Sequence, residues 1–203
     1  MIETVSWIFF IFAAVVFHEV SHGLMAYVLG DSTAKSAGRL SLNPLKHIDP
    51  FWTVILPAVL YFSTHGKLVF GMAKPVPVNF ARLRHPRRDA VLVALAGPGV
   101  NLLLAAILSL IWSRSGSTFA LYGAYLNLGL GLFNLIPIPP LDGSRIAAAL
   151  MPRRMSSMFL SIERWGFIII VFLHMMGILF KILMPAIDFF CKLYRIPLVL
   201  SDI

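Results

Sequence analysis

A pattern that could bind a metal ion lies within a strongly apolar N-terminal region. In the stretch VVFHEVSHGLMA, residues 15–26, His18, Glu19 and His22 form the pattern H-E-x-x-H inside an apolar run over residues 5–29. Positions i and i+4 share one face of a helix, so the two imidazoles can bind one metal ion. Glu19 lies about 100° further round the helix, where its carboxylate can reach a water molecule. Two imidazoles, a carboxylate base and an open coordination position are typical of a zinc hydrolase.

The alternative is a chance match, or two histidines whose hydrogen bonds are satisfied inside a helix bundle. From ordinary residue frequencies, a chance match in a chain of 203 residues arises about once in a hundred sequences. An ionised group at the centre of a bilayer costs at least about 2.5–3.5 kcal/mol, so such groups face a partner or a polar cavity. Rarity and energetic cost together favour metal binding by His18 and His22, with Glu19 as the base.

A catalytic zinc site usually has three protein ligands, so a third is expected among the carboxylates. Most carboxylates lie in loops or near the ends of apolar segments: Glu3, Asp31, Asp49, Asp89, Glu163, Asp188 and Asp202. Asp142 differs because it follows an apolar segment at the proline-rich break IPIPPLDG, residues 136–143. Antiparallel helices would bring Asp142 to the same end of the bundle as the two histidines. The alternative is an ordinary turn aspartate before Gly143.

The composition indicates a polytopic membrane protein. Hydrophobic residues make up 59% of the chain and charged residues only 13%, which is too little charge to cover the surface of a soluble domain. Three stretches reach the roughly 20 apolar residues that span a bilayer: residues 5–29, 90–113 and 165–183. The first has no basic start and contains candidate functional residues, so we expect a retained helix rather than a signal peptide. The single Cys191 excludes an internal disulfide and a cysteine-rich metal site.

The chain is predicted to fold as an all-α bundle of about four to six transmembrane helices. These helices are expected over residues 5–29, 90–113, 119–136, 165–180 and 183–194. Residues 51–63 are apolar but short, and basic segments flank them on both sides, which favours a re-entrant or shallow element that is either helical or rich in strand. The segment AKPVPVN, residues 73–79, alternates valine and proline and is predicted to be an edge strand that could pair with an unwound substrate. An ordinary interfacial hairpin is the alternative for this segment.

Basic residues predict the orientation of the chain in the membrane. The net charge is +8, but the basic residues concentrate in short loops, which indicates membrane topology rather than nucleic-acid binding. Loops 31–49, 64–89 and 143–164 contain three, six and four Lys or Arg residues, whereas the turn at residues 113–118 contains one. The positive-inside rule therefore predicts that the three loops are cytoplasmic and the N-terminus is outside. The metal site is then expected nearer the cytoplasmic face.

The chain contains three motifs in this order: FHEVSHGLMA around His18, LAGPGVN over residues 95–101 and FNLIPIPPLDGSRI over residues 133–146. Together they resemble the motifs of the site-2 protease family of intramembrane zinc metalloproteases. Their order and spacing match from about residue 5 to 155, and the segments GRLSLNPLKHIDP and FGMAKPVPVN look like the short bacterial branch without an inserted PDZ domain. The resemblance implies an enzyme that hydrolyses peptide bonds within or next to transmembrane segments of membrane proteins.

The resemblance also implies roles for individual residues. Asp142 corresponds to the family's third zinc ligand, and Asn134 to an asparagine proposed to bind substrate or the oxyanion. Many members have N-P-D-G at this aspartate, whereas this chain has P-L-D-G. Asn101 could also donate to an oxyanion, but its place after Gly97 in an apolar segment favours a helix-packing role. Asn79 is a further candidate for binding substrate.

The expected protein is thus a multi-pass zinc metalloendopeptidase of the cell membrane, with one Zn²⁺ per chain, transmembrane protein substrates and no nucleic-acid partner. A single membrane-embedded domain is expected over residues 1–203, with its catalytic core at about 5–155 and C-terminal helices at about 160–195.

The principal alternative is a transporter or proton-relay protein, which would spread ionisable residues through several helices at different depths. A catalytically silent scaffold is less favoured because it would not need Glu19. His174, alone in an apolar segment, is more typical of a hydrogen-bonded residue than of a metal ligand.

Overall fold

A computed structural model describes residues 2–66, 71 and 73–198, with the backbone alone for residues 2–8. Its helices are α1 (Ile2–Val28), α2 (Thr33–Ser36), α3 (Leu56–Ser63), α4 (Pro86–Ser115), α5 (Thr118–Asn134), α6 (Asp142–Leu150), α7 (Arg153–Ser161), α8 (Gly166–Met175) and α9 (Ile178–Tyr194). Short 3-10 turns occupy Pro44–His47, Phe80–Arg82 and Ile162–Trp165, and a π-helical turn at Pro50–Ile55 continues into α3. No strand occurs within the described ranges, which confirms the predicted all-α class. Lys67, one of the basic residues counted for the topology, lies outside the described residues.

The apolar helices confirm a polytopic membrane protein. Within the described part of the chain, three segments are long and apolar enough to cross a membrane: Phe9–Val28, Pro86–Ser115 and Arg153–Met175. Both α5 and α9 are also apolar, and each has 17 residues. Large apolar side chains remain exposed on the outside of the bundle, as at Leu103 and Phe172, each 59% exposed. Such an extensive apolar surface is typical of contact with lipid.

The centre of the molecule is formed by α1, α4 and α5, which pack on one another. A glycine lets α5 approach α1 closely, since a Cβ built on Gly123 would lie 2.5 Å from the ring of Phe10. Asn101 of α4 and Asn127 of α5 are buried between these helices, with 0% and 2% exposure. No water is available within a bilayer, so such amides must bond to each other or to the backbone. α9 covers one side of α4 and α5, where Cys191 is buried.

The apolar segment that follows Asp49 is helical from Pro50 to Ser63. Asp49 Oδ1 accepts hydrogen bonds from the N–H groups of Phe51 and Trp52, both at 3.0 Å, and so caps the start of the helix. A helix of this length rises about 21 Å, less than the roughly 30 Å of a bilayer's hydrocarbon core. The element is therefore helical rather than rich in strand, and its re-entrant course stays a prediction.

Residues 73–79, which we call the strap, form no strand, so the predicted edge strand is wrong. Pro75 and Pro77 have no N–H to donate to a neighbouring strand. The N–H groups of Lys74, Val76 and Asn79 do have partners, and each donates to an acceptor elsewhere in the molecule. The strap is thus held by tertiary contacts instead of by a sheet.

The C-terminal half also differs from the prediction in its helix boundaries. The helix expected over residues 165–180 ends at Met175, because Gly177 adopts a φ of +69° and closes the helix with a left-handed residue. α9 then begins at Ile178, before the position expected from hydropathy. The basic segment 143–164, expected as a loop, contains α6 and α7. The glycine cap is a local signal that hydropathy alone does not detect.

Asp31 joins the end of α1 to the strap. Its side chain is 0% exposed. Oδ1 accepts from the N–H of Thr33 at 3.0 Å and from the Thr33 hydroxyl, while Oδ2 accepts from the N–H of Asn79 at 2.6 Å. Burial by itself raises the pKa of Asp31, but these hydrogen bonds and the charge of Arg82 outweigh burial and hold the pKa below its ordinary value of 3.8. The ionised carboxylate therefore stabilises this junction.

We expect Asp31→Asn to lower the melting temperature in detergent by roughly 3–8 °C at neutral pH, because the amide can accept only part of these hydrogen bonds. Since the pKa is lower in the folded state, the stabilisation is present above the unfolded pKa and is lost as the pH falls through the folded pKa. The difference between wild type and variant should therefore narrow below about pH 4. Thermal unfolding followed by circular dichroism across this range measures both effects.

The matched control is Asp188→Asn, because Asp188 is 38% exposed in its surface pair with Lys192. That variant should change the melting temperature by less than about 1 °C. A deficit in Asp31→Asn that stays constant down to pH 3 would contradict the assigned cause.

Candidate metal centre

Three side chains that can bind one metal ion meet where α1 approaches the start of α6. His18 and His22 lie one turn apart on α1, and Asp142 is the first residue of α6. The Nε2 atoms of the two histidines are 3.0 Å apart, and each is 3.1 Å from Oδ2 of Asp142. Both histidines are buried. The structure thus brings together the three residues that were predicted as ligands.

These donor atoms fit a zinc ion. Ligand atoms 2.0–2.1 Å from a tetrahedral zinc ion are about 3.3 Å from one another. The observed separations of 3.0 and 3.1 Å are close to this spacing, so small shifts of the side chains suffice. Two imidazole nitrogens and one carboxylate oxygen also match the ligand set of catalytic zinc sites, which keep a fourth position open.

A chain of buried amides determines which nitrogen of His18 can bind the metal. Asn127 Nδ2 donates to the carbonyl of Gly123 at 2.9 Å, so Asn127 Oδ1 is the atom that accepts from Asn101 Nδ2 at 2.9 Å. Asn101 Nδ2 also donates to the carbonyl of Ala14 at 3.1 Å. Asn101 Oδ1 is therefore left to accept from Nδ1 of His18 at 2.7 Å. Because Nδ1 carries the proton, Nε2 of His18 keeps the lone pair that binds a metal.

The backbone of α4 orients His22. Nδ1 of His22 lies 2.7 Å from the carbonyl oxygen of Val93. A carbonyl can only accept, so Nδ1 is the donor and Nε2 is left for the metal. Gly97, one turn further along α4, lies against both imidazoles. A Cβ built on Gly97 would be 2.3 Å from Nε2 of His22 and 2.7 Å from Cε1 of His18, so no larger residue fits without moving the rings.

Glu19 borders a cavity of about 530 Å³ beside the three candidate ligands. Its side chain is half-buried, and Oε2 accepts a hydrogen bond from the N–H of Val76 at 2.8 Å. Most of the cavity wall is apolar, and Arg145 and Glu163 form an ion pair of 2.7 Å at its edge. A mostly apolar cavity with a few polar groups at one end is suited to hold a peptide segment beside a reactive centre.

The three candidate asparagines lie in different surroundings. Asn134 lines the cavity together with Asp142. Asn101 lies behind His18, where it is 0% exposed and all of its described hydrogen bonds point into the helix bundle. Asn79 caps the turn at Phe80–Arg82 through its side-chain oxygen. Of the three, Asn134 alone borders the cavity.

Sequence reasoning missed two features of the site. Asn127 was not singled out, although an asparagine inside an apolar helix is itself a signal of interhelical hydrogen bonding. The contact of the strap with Glu19 was also not foreseen, because it joins residues 57 positions apart in the chain. His174 is exposed and lies outside the cluster of candidate ligands.

Comparisons with known proteins agree with this chemistry. The model of Peptidase family M50 matches residues 111–177. A protein of Bacillus subtilis (strain 168) named "Putative zinc metalloprotease YwhC" is 38% identical over 185 residues, which cover 84% of this chain and 80% of that protein. A protein of Mycolicibacterium smegmatis named "Putative zinc metalloprotease Rip2" is 30% identical over 163 residues, which cover 77% of this chain and 61% of that protein. No solved structure gives a significant match to the chain.

Gly97→Ala should weaken zinc binding by about tenfold or more, because its methyl group would occupy the space of the two imidazoles. The matched control is Gly99→Ala in the same helix, where an added Cβ meets nothing within 4 Å. Competition with a chromogenic chelator measures the affinity of each purified variant. Equal zinc affinity in the two variants would show that Gly97 does not limit the space at the metal centre.

Proposed function

The chain belongs to peptidase family M50, and from this we propose that His18, His22 and Asp142 bind one zinc ion and that Glu19 is the general base for peptide hydrolysis. One observation carries the proposal: donor atoms from α1 and from α6 converge to separations of 3.0 and 3.1 Å beside a cavity that Glu19 borders. Membership of the family and the apolar helices make the protein a membrane-embedded zinc metalloprotease.

A transporter or proton-relay protein is not favoured. Such a protein would carry ionisable groups at several depths along a conduit. Within the described part of the chain, the groups that could hold a metal ion form one cluster at one level of the bundle, His18, His22 and Asp142. The buried amides Asn101 and Asn127 continue from this cluster as hydrogen-bonding partners, without any further ionisable group between them.

A zinc ion held by His18, His22 and Asp142 would supply a Lewis acid for the scissile carbonyl and would lower the pKa of water. Glu19 accepts a proton from the attacking water and returns it to the leaving amine. The bonds of His18 to Asn101 and of His22 to Val93 keep each Nε2 directed at the metal position throughout. The cavity wall is mostly apolar, so the charges of the site act in a medium of lower dielectric than bulk water.

Asn134 is proposed as the group that contacts the substrate. Its Nδ2 donates to the carbonyl of Leu130 at 3.0 Å, which orients the amide in the wall of the cavity that also contains Asp142. The amide nitrogen carries a second hydrogen, which can donate to the carbonyl oxygen of a substrate as negative charge develops on it. Substrates are proposed to be transmembrane segments, which must be locally unwound because a helix hides its backbone amides.

The position of the cluster supports a site near the cytoplasmic face. His22 lies six residues before the end of α1, and its partner Val93 lies seven residues after the start of α4, so the cluster is about 10 Å from that end of both helices. The basic segments connect helices at this end. By the positive-inside rule this end is proposed to be cytoplasmic, with the N-terminus outside. The described helices are proposed to form one peptidase domain.

Glu19→Gln should reduce peptide cleavage by about two to four orders of magnitude while zinc content stays near that of wild type. Glutamine has a similar size but cannot accept the proton. Proteoliposomes with a single-span model substrate give the rate, and elemental analysis gives the zinc content. The control is Glu163→Gln at the cavity edge, whose half-exposed ion pair contributes little. Cleavage by Glu19→Gln within a few-fold of wild type, with zinc intact, would remove Glu19 from the mechanism.

Single cysteines at Arg84 and Arg153 should react with an impermeant maleimide only from the cytoplasmic side, and a cysteine at Ser115 only from outside. Cys191 is the one native cysteine and is buried, so the background is low. Right-side-out and inverted vesicles provide the two sides. Labelling of Ser115 from the cytoplasmic side would reverse the proposed orientation.

A further inference from the structure

We propose that the strap positions the general base: the N–H of Val76 holds one oxygen of Glu19 so that the other is presented to the attacking water. This inference rests on the proposed role of Glu19 and adds to it a positioning group from a segment distant in the chain. The bond joins Val76 N to Glu19 Oε2 at 2.8 Å. A hydrogen bond to an ionised carboxylate is roughly twice as strong as one between neutral groups, so it can restrict the rotamers of the side chain.

The sequence of the strap leaves a single donor opposite Glu19. Val76 lies between Pro75 and Pro77, so the tripeptide contains one N–H, that of Val76 itself. Each proline also has a fixed φ and restricts the residue before it. The N–H of Val76 is therefore presented by a stiff backbone, which lowers the entropy cost of holding the carboxylate in one place.

Contacts on both sides of Val76 fix the strap. On its N-terminal side, the N–H of Lys74 donates to the carbonyl of His47 at 2.9 Å, and Arg39 Nη2 donates to the carbonyl of Lys74 at 2.8 Å. On its C-terminal side, the N–H of Asn79 donates to Asp31 Oδ2 at 2.6 Å. Asp31 lies three residues after the end of α1, and its N–H donates to the carbonyl of Ala26 in α1 at 2.9 Å, so the strap is held relative to the same helix that carries Glu19.

Packing fixes the height of the strap above α1. The side chain of Val76 is 6% exposed. A Cβ built on Gly23, the residue after His22, would lie 2.6 Å from Cδ2 of Leu40 and 2.7 Å from Cγ1 of Val76. The absence of a side chain at position 23 therefore lets the strap lie directly on α1, at the turn that also carries Glu19 and His22. The N–H of Val76 can reach Glu19 because of this close approach.

The test compares Val76→Pro, which removes the N–H, with Val76→Ala, which loses the side chain but keeps the N–H. Relative to Val76→Ala, we expect Val76→Pro to lower kcat by about ten- to a hundredfold, with KM changed less than about threefold. Zinc content should be equal in both, because the three metal ligands are untouched. Equal kcat in the two variants, or a loss of zinc that accounts for the difference, would overturn the proposal.

A double-variant cycle shows whether Val76 acts through Glu19. In the Glu19→Gln background, Val76→Pro should change the residual kcat by less than about twofold relative to Val76→Ala. An equally large decrease in that background would mean that the strap acts by another route. Failure of the proposed function is seen separately, as near wild-type cleavage by Glu19→Gln alone.

Gly23→Ala provides a second probe if Val76→Pro does not fold. Its methyl group would press on Val76 of the strap and on Leu40 without changing any N–H group, and it should lower kcat with zinc retained. Adding Val76→Ala removes the clashing Cγ1 and should restore part of kcat. Unchanged kcat in Gly23→Ala would contradict the positioning role.

Discussion

Every polar group buried in this bundle needs a partner within the protein, because a bilayer offers no water to replace one. The line of contacts from Asn127 through Asn101 to His18 meets this requirement. Each amide nitrogen donates to a backbone carbonyl, that of Gly123 or Ala14, so each amide oxygen is left to accept the next hydrogen bond in the line. The same line sets the tautomer of His18. The need to satisfy two amides therefore also decides which imidazole nitrogen is available to a metal.

Close helix packing is the second requirement of the site. The histidines of α1 fit against α4 because Gly97 has no side chain. Asp142 reaches them from the other direction because Gly143 is equally free of one: a Cβ built there would lie 2.2 Å from the carbonyl oxygen of Leu135. α6 can therefore begin directly against the end of α5. Two glycines, in two separate motifs, allow the candidate ligand atoms to come into contact.

A partly buried carboxylate beside two buried imidazoles would be costly without charge compensation. Asp142 Oδ2 is 3.1 Å from both Nε2 atoms, so a dication held by these three side chains would offset their desolvation. Glu19 has a different environment. It borders the cavity, and among the described residues its hydrogen-bond partner is the backbone N–H of Val76. The candidate ligands and the proposed base thus differ in their surroundings as well as in their direction on α1.

The sequence by itself determined the helical class, the apolar segments, the pairing of His18 with His22 and the separate direction of Glu19. These properties are local, since they depend on hydropathy and on the spacing of side chains along one helix.

Asp142 could be proposed as a ligand from its place after an apolar segment, but its contact with residues about 120 positions earlier depends on how three helices and a turn pack. The strap shows the limit most clearly, since alternating valine and proline predicted an edge strand. The described part of the chain contains no strand beside it, and the N–H groups of the strap donate instead to the His47 carbonyl and to the carboxylates of Glu19 and Asp31. Only the tertiary structure decided these partners, because a backbone N–H bonds to whichever acceptor packing brings within reach, and packing depends on all the helix contacts at once.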